Sequence, residues 1–368
     1  MQQKYFAASN SAQGFQNYFG LIFARADFLY IIKGGPGTGK SSFMKKCAAI
    51  AEDNGATVEY YYCSSDPTSL DGILIFSDAR VTGFIDGTAP HVSEPQLPGA
   101  REEIINLGQF WDRELLHKQK NEIQALCERK GTEYKNAYTF LRSVGNLRAV
   151  SDCLVRDALD IEKMDGAARR LLRSALGSWN TDRAQKSSII PAITDSVSMC
   201  GRVRFDTFER LAKKVYFVGD LYGAGQMFLD CVLCLMKEKG ISARVSYDPV
   251  CSSHVDGIFI EDVGVALICR HDSPDGYDET VTQGAEVTYI NMGRFFDRAR
   301  LREARSEIRY TSRLARNALD GAIYSLSKAK IYHFLLEDIY GKAMDWRAKD
   351  EWQKGIGLGK MIFGADKG

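Results

Sequence analysis

Short apolar runs alternate with longer charged tracts of helical period along this chain. Residues 28–32 (Phe-Leu-Tyr-Ile-Ile) form a compact apolar run, the mark of a strand buried on both faces. A glycine-rich turn follows. Residues 40–52 then take a helical pattern that closes at Asn54-Gly55. Residues 58–62, 72–76 and 81–85 are further strand candidates, and from 102 to 176 the pattern becomes helical and charged.

The same order returns in the second half. Strands are predicted at 215–218, 243–247, 258–260 and 265–269, a helix at 227–237 closed by Gly240, and a helical tract from 293 into the 340s. A displacement of 185 residues lays Asp71-Gly72-Ile73 on Asp256-Gly257-Ile258, and Ile105-Asn106-Leu107-Gly108 on Ile290-Asn291-Met292-Gly293. A displacement of 186 lays Gly37 and Gly39 on Gly223 and Gly225. One offset kept over such distances reads as one unit written twice. The boundary is expected near 182–190, where Lys186-Ser187-Ser188 and Pro191 interrupt the pattern, giving units 1–184 and 185–368. Strands alternating with helices predict an α/β fold, each half a mostly parallel sheet covered by helices, with the late helical tract as a side layer or lid.

Composition narrows the picture without changing it. The chain has 368 residues, 45% hydrophobic and 26% charged, as an ordinary globular protein does. Its 48 basic and 47 acidic side chains leave a net charge of +1, so no global pull on nucleic acid or membrane is expected. No apolar run reaches the ~18 residues of a membrane span; the best stretch, 215–236, is broken by Asp220, Gln226 and Asp230. The first residues lack a secretory apolar region, and nine cysteines in a chain of this length read as reduced thiols, so a cytoplasmic location is expected.

The sharpest chemical signal is Gly34-Gly35-Pro36-Gly37-Thr38-Gly39-Lys40-Ser41, a full G-x-x-x-x-G-K-[ST] between a predicted strand and a predicted helix. Glycines let backbone N–H groups close around phosphate oxygens at the helix N-terminus. Lys40 is expected on the β/γ-phosphates, Ser41 on Mg²⁺, and Ser42 on the α-phosphate. The magnesium partner should be an acid ending a neighbouring strand. Asp86 is the first choice and Asp78 the runner-up, ahead of Asp66 and Asp71, with a turn-forming aspartate the plain alternative at each. Lys40 and Asp86 are thus the expected catalytic residues. Asp86 is followed by Gly87 rather than a water-activating glutamate, which leaves the base unassigned, with Glu94 and Asp66 as weak candidates.

The matching stretch of the second half runs Gly219-Asp220-Leu221-Tyr222-Gly223-Ala224-Gly225-Gln226-Met227. Gln226 replaces the lysine, Met227 replaces the hydroxyl, and Asp220 puts negative charge where phosphate would approach. This half is expected to be structural or regulatory, or to bind another ligand through His271 and Asp272.

The segments 34–42, 63–72, 86–91 and 105–108 together resemble a family of uncharacterised bacterial tandem P-loop ATPases, chiefly from Firmicutes. The resemblance spans most of the chain. It implies nucleotide binding and a duplicated P-loop fold, with an intact phosphate loop in both halves; this chain departs from that in the second. Read physically, Cys63 is a reactive thiol or a small core residue, and Asp66-Pro67 and Asp71-Gly72 are turn punctuation. Thr88 and His91 follow Asp86 and are candidates to face the γ-phosphate, against a plain hydrogen-bonded loop histidine.

Other signals weigh less. Cys231-x-x-Cys234 falls within a predicted helix without a second pair, and the five histidines show no ligand spacing. Arg298, Arg302, Arg305, Arg309, Arg313 and Arg316 form one helical stripe, read as a solvated face, with nucleic acid or another phosphate-bearing partner as the alternative. Residues 7–15 read as a loop that flanks the nucleotide base. The expected function is Mg²⁺-dependent ATP binding and hydrolysis at one competent site, beside a degenerate copy. A small-molecule kinase and a nucleotide-binding switch or scaffold without turnover stay open, as does an unidentified protein partner. No base-specific motif separates ATP from GTP.

Overall fold

The computed structural model describes residues 2–177, 188–271 and 279–364. The expected boundary at 184/185 lies outside them. The first half contains β1 (Gln3–Phe6), β2 (Ala8–Ser11), β3 (Gly14–Asn17), α1 (Phe19–Phe23), β4 (Phe28–Lys33), α2 (Lys40–Asp53), β5 (Thr57–Tyr62), β6 (Leu70–Phe76), β7 (Val81–Asp86), β8 (Glu102–Asn106), α3 (Arg113–Lys118), α4 (Lys120–Ala158) and α5 (Ile161–Leu176). The second contains β9 (Ile189–Pro191), β10 (Asp195–Ser198), β11 (Gly201–Arg204), α6 (Thr207–Leu211), β12 (Lys214–Gly219), α7 (Ala224–Glu238), β13 (Ala243–Tyr247), β14 (Val255–Ile260), β15 (Val265–Arg270), β16 (Glu286–Ile290), α8 (Arg298–Lys342), α9 (Trp346–Gly355) and α10 (Leu358–Phe363).

The chain is α/β, with two six-stranded mixed sheets. Their orders are β1-β5-β6-β7-β4-β8 and β9-β13-β14-β15-β12-β16. Order and direction agree strand for strand: β6 and β14 run against the other five. Even an irregularity in register recurs, between Tyr61 and Tyr62 and between Ser246 and Tyr247.

The alternation of side chains across a strand divides the core. Tyr30 and Ile32 of β4 face α2, whose buried stripe is Phe43, Met44, Cys47, Ala48 and Ala51. Leu29 and Ile31 point the other way, into an inner cluster shared with Val215 and Phe217 of β12 and capped by α1 and α6. Each sheet therefore has helices on its outer face. Its inner face meets the other half instead of a second full helical layer, which departs from the arrangement expected.

Two features were not predicted. The tract beginning at 102 opens with a strand, β8, and its counterpart β16 is likewise a strand. Each is an edge strand bearing charge, such as Glu102, Glu103 and Glu286, which hides the strand pattern. Residues 7–15 are not a loop: β2 and β3 form a hairpin in which Asn10 is fully buried and donates to Val197 O at 3.0 Å.

The long helices α4 and α8 lie antiparallel along each other. Small residues (Ala137, Ala315, Ala322) let them approach, and Ser151 and Thr311 share a hydrogen bond of 2.6 Å. Each helix carries the chain across the molecule. At one end Asp112 N donates to Ala343 O and Asp345 N to Phe110 O; at the other, Asp160 N donates to Phe295 O and Asp297 N to Ala158 O. All four aspartates also cap helices. Beyond the crossing, α5 of the first half packs on the second sheet with α7, and α10 of the second half packs on the first sheet with α2.

Candidate functional site

The first glycine loop joins β4 to α2. Gly39 is the N-cap of α2 with φ of +81°, and Gly37 has φ of +69°; both are left-handed conformations that favour glycine. Thr38 Oγ1 donates to Gly35 O at 2.9 Å. Lys40 opens α2 and is buried. Its Nζ donates to Gly34 O at 3.0 Å and Gly35 O at 2.7 Å, and stands 3.5 Å from Asp86 Oδ2. The loop's cation thus rests on the loop's own carbonyls. Ser41 Oγ accepts from Leu70 N at 3.0 Å, while Ser42 is exposed.

Asp86 ends β7, the strand beside β4, where it pairs with Ile32. Thr88 holds it in place: its N–H and hydroxyl donate to Asp86 Oδ1 at 2.9 and 2.6 Å. Thr88 is therefore occupied in orienting the carboxylate. The antiparallel register of Gly72 with Ile85 brings Asp71 alongside. Asp71, Asp86 and His91 place one ligating atom each within 4.8 Å of one another. Burial, reinforced by Asp86, pushes the Asp71 carboxyl up to about 8. Burial lowers His91, whose ring lies flat on Phe19 at 4.7 Å and whose two nitrogens are buried without a partner. Burial also raises the Cys63 thiol well above its usual value; it donates to Asp71 and is no ready nucleophile.

Other sequence candidates fall elsewhere. Asp78 is exposed in the turn before β7, at the end of that strand opposite to Asp86. Asp66 turns its own loop, accepting from Thr68 N and Oγ1. Glu94 is exposed and paired with Lys33 at 2.5 Å. Cys231 donates to Asp165 on the surface of α7, and all nine cysteines are free. The six arginines of the stripe are all exposed on α8.

The sequence reading missed what lies over the loop. A side chain at Gly37 would strike the Glu337 backbone of α8. One at Gly35 would meet Tyr340 and Trp111, and one at Gly39 would meet Lys349 and Trp346. Lys130 of α4 is also close enough to feel Lys40 and Glu337, and burial lowers it. No local pattern marks these residues; the helix crossing brings them here.

The second glycine loop is closed by its own side chains. α7 begins at Ala224, two residues ahead of the position aligned with Lys40. Asp220 Oδ1 accepts from Gly225 N at 3.0 Å, so a carboxylate of the chain occupies a loop amide. Asp220 Oδ2 meets His271 Nδ1 at 2.8 Å, and His271 Nε2 meets Asp256 Oδ1 at 2.6 Å. Gln226 donates to Asp248 and Asp256, and Asp248 is paired with Arg148 at 2.8 Å. Burial opposes charge on His271, but Asp220 and Asp256 outweigh it and push the imidazole up to about 10. Met227 is core. Asp272, the other expected ligand residue, lies outside the described residues.

Among the described residues no helix is long and apolar enough to cross a membrane. Compared with known proteins, the chain matches no family model, no curated protein and no solved structure.

Proposed function

We propose that the chain binds Mg-ATP at the first glycine loop and hydrolyses it, within a duplicated P-loop fold whose second copy has lost nucleotide binding. The observation that carries this reading is Lys40, at the N-terminus of α2, with its Nζ on the loop carbonyls and 3.5 Å from Asp86. An incoming triphosphate gives that ammonium a better partner than two neutral carbonyls, because charge-assisted hydrogen bonds are roughly twice as strong. The loop amides and the end of α2 add donors for the same oxygens. The donor set suits a hard cation: Asp86 at the end of β7 and the Ser41 hydroxyl at the start of α2 would supply oxygen ligands. Mg²⁺ held there supplies charge neutralisation for the β/γ-phosphates. Lys40 stabilises charge developing on the bridging oxygen, and Thr88 keeps Asp86 oriented.

Hydrolysis takes water as acceptor. A phosphoryl transfer to a small molecule is the second reading, favoured by Gly87 directly after Asp86 and by the engagement of Glu94 with Lys33. The test is ADP release by purified protein with Mg-ATP and with Mg-GTP, against Lys40→Ala. Turnover lost in the variant supports hydrolysis. Lys40-dependent binding without turnover moves the assignment to a kinase or switch. Equal binding by both proteins overturns the site.

A further inference from the structure

Both halves bury a pair of acids beside their glycine loop, and they neutralise them differently. In the second half Asp220 and Asp256 are bridged by His271, with both imidazole nitrogens engaged at 2.8 and 2.6 Å. Asp256 lies 185 residues beyond Asp71 and begins the equivalent segment of its sheet. In the first half Asp71 faces Asp86, and the imidazole close by, His91, bridges nothing. Its Nε2 stops 3.8 Å from Asp71 Oδ1, and neither ring nitrogen has a hydrogen-bond partner.

We propose that Asp71, Asp86 and His91 form a binding site for one divalent first-row transition ion, of the Mn²⁺ type, which fills in the absence of nucleotide. Three observations carry it. The ligating atoms of the three side chains already lie within 4.8 Å of one another. Donors about 2.1 Å from an ion stand about 3.0–3.4 Å apart in cis or tetrahedral positions, so closing the set needs side-chain shifts of about an ångström or less. His91 is 7% exposed, its ring is fixed against Phe19, and buried ring nitrogens are seldom left unpaired in folded proteins. Asp71 and Asp86 are two carboxyls crowded together in a protein interior, and Lys40, 3.5 Å from Asp86, is shared with two loop carbonyls. A dication bound between them would hold both as carboxylates and give His91 a partner. The second half reaches the same balance with a proton on His271.

The ligand set defines the ion. Mg²⁺ prefers an all-oxygen shell and keeps several waters, whereas an imidazole nitrogen beside two carboxylates favours Mn²⁺, Co²⁺ or Zn²⁺. The site shares Asp86 with the nucleotide reading but does not rest on it, since its donors are assembled without a nucleotide.

The test is Mn²⁺ titration of nucleotide-free protein, followed by electron paramagnetic resonance with detection of ¹⁴N coupling. One ion per chain is expected, bound at least tenfold more tightly than Mg²⁺, with an imidazole nitrogen coupled to it in the wild-type protein. That spectrum needs no variant and so survives any folding defect. His91→Gln should abolish the coupling and weaken binding at least tenfold, and Asp71→Asn should weaken it as much. Lys40→Ala should keep the metal. If Mn²⁺ binds only when ATP is present, or if the ¹⁴N coupling is absent or persists in His91→Gln, the site is not this one. The nucleotide reading fails separately, as absence of ATP binding in a protein that still takes up Mn²⁺.

Discussion

The two glycine loops occupy the same place in sheets of the same topology, and they spend their polar groups in opposite ways. In the first, Lys40 leans on carbonyls of its own loop, Asp71 and Asp86 face each other, and His91 has no hydrogen-bond partner. In the second, each polar group has been answered from within. Asp220 takes a loop amide, His271 bridges two acids, and Gln226 and Arg148 complete the network. Buried polar groups left unmatched cost free energy, and a chain keeps them where something else supplies the match. The difference teaches that a glycine loop is recognised less by its glycines than by its unmet valences. The second loop keeps Gly223 and Gly225, and among the described residues its Asp220, Gln226 and His271 are already engaged with one another's neighbours.

That contrast can be broken at several points. The largest effect is expected at Lys40. Lys40→Ala should lower turnover by about 10²–10³-fold, as removal of a donor to developing charge does, while Gln226→Ala leaves turnover unchanged. Steady-state ADP release checks both. If Gln226→Ala matches Lys40→Ala, the loops are functionally equivalent.

Next comes the sealed network. Asp256 is buried and holds His271 and Gln226, so Asp256→Ala breaks a buried ion pair, leaves His271 Nε2 and one Gln226 hydrogen bond unmatched, and should cost about 3–5 kcal/mol of stability. Urea unfolding measures this. Asp71→Ala, which removes one of two crowded carboxyls in the first half, should cost much less; an equal loss at both sites would erase the distinction.

The third is a pH dependence. The folded pKa of His271, about 10, lies above its unfolded value near 6.5, so the folded state holds the extra proton between them. The stabilisation is complete below about pH 6.5 and is lost as pH rises toward 10. His271→Gln should flatten that part of a stability profile measured by urea unfolding; a slope unchanged in the variant would remove His271 from the account.

The smallest effect concerns the helix over the first loop. Because the α8 backbone at Glu337 lies against Gly37, Mg-ATP should compete with that contact. Hydrogen exchange at residues 337–342 should rise severalfold on adding nucleotide, with the middle of α8 unmoved. Protection of that segment instead would mean the helix end closes on the ligand.

Much of this was legible in the sequence where local chemistry decides. The apolar run at 28–32, the glycines and lysine after it, and the acid ending at Asp86 can be read one segment at a time. So could the substitutions Gln226 and Met227. What could not be read depends on partners distant in sequence. Ala8, Ser9, Asn10 and Ser11 look like loop because their polarity is met by partners the sequence does not show, Asn10 by Val197 O of the other half and Ser11 by Gly14 O across its hairpin. Glu102 passes for a helical residue until it is seen accepting from Gln96 N and Leu97 N at a sheet edge. Asp71 read as turn punctuation because only the register of β6 on β7 sets it beside Asp86. The cover over the first loop was invisible for the same reason: Glu337 and Tyr340 follow Lys40 by about three hundred residues.

The crossing of the tails also bears on how the chain is made. The apolar seat beside α2, lined by Phe43, Met44 and Phe84, receives Leu358 and Ile362 of α10. A ribosome delivers the seat first and its occupant only after the second sheet has been made. At about 5–20 residues per second the interval is of order tens of seconds. During that time the nascent first sheet carries an apolar patch that waits for a segment of chain still to be made.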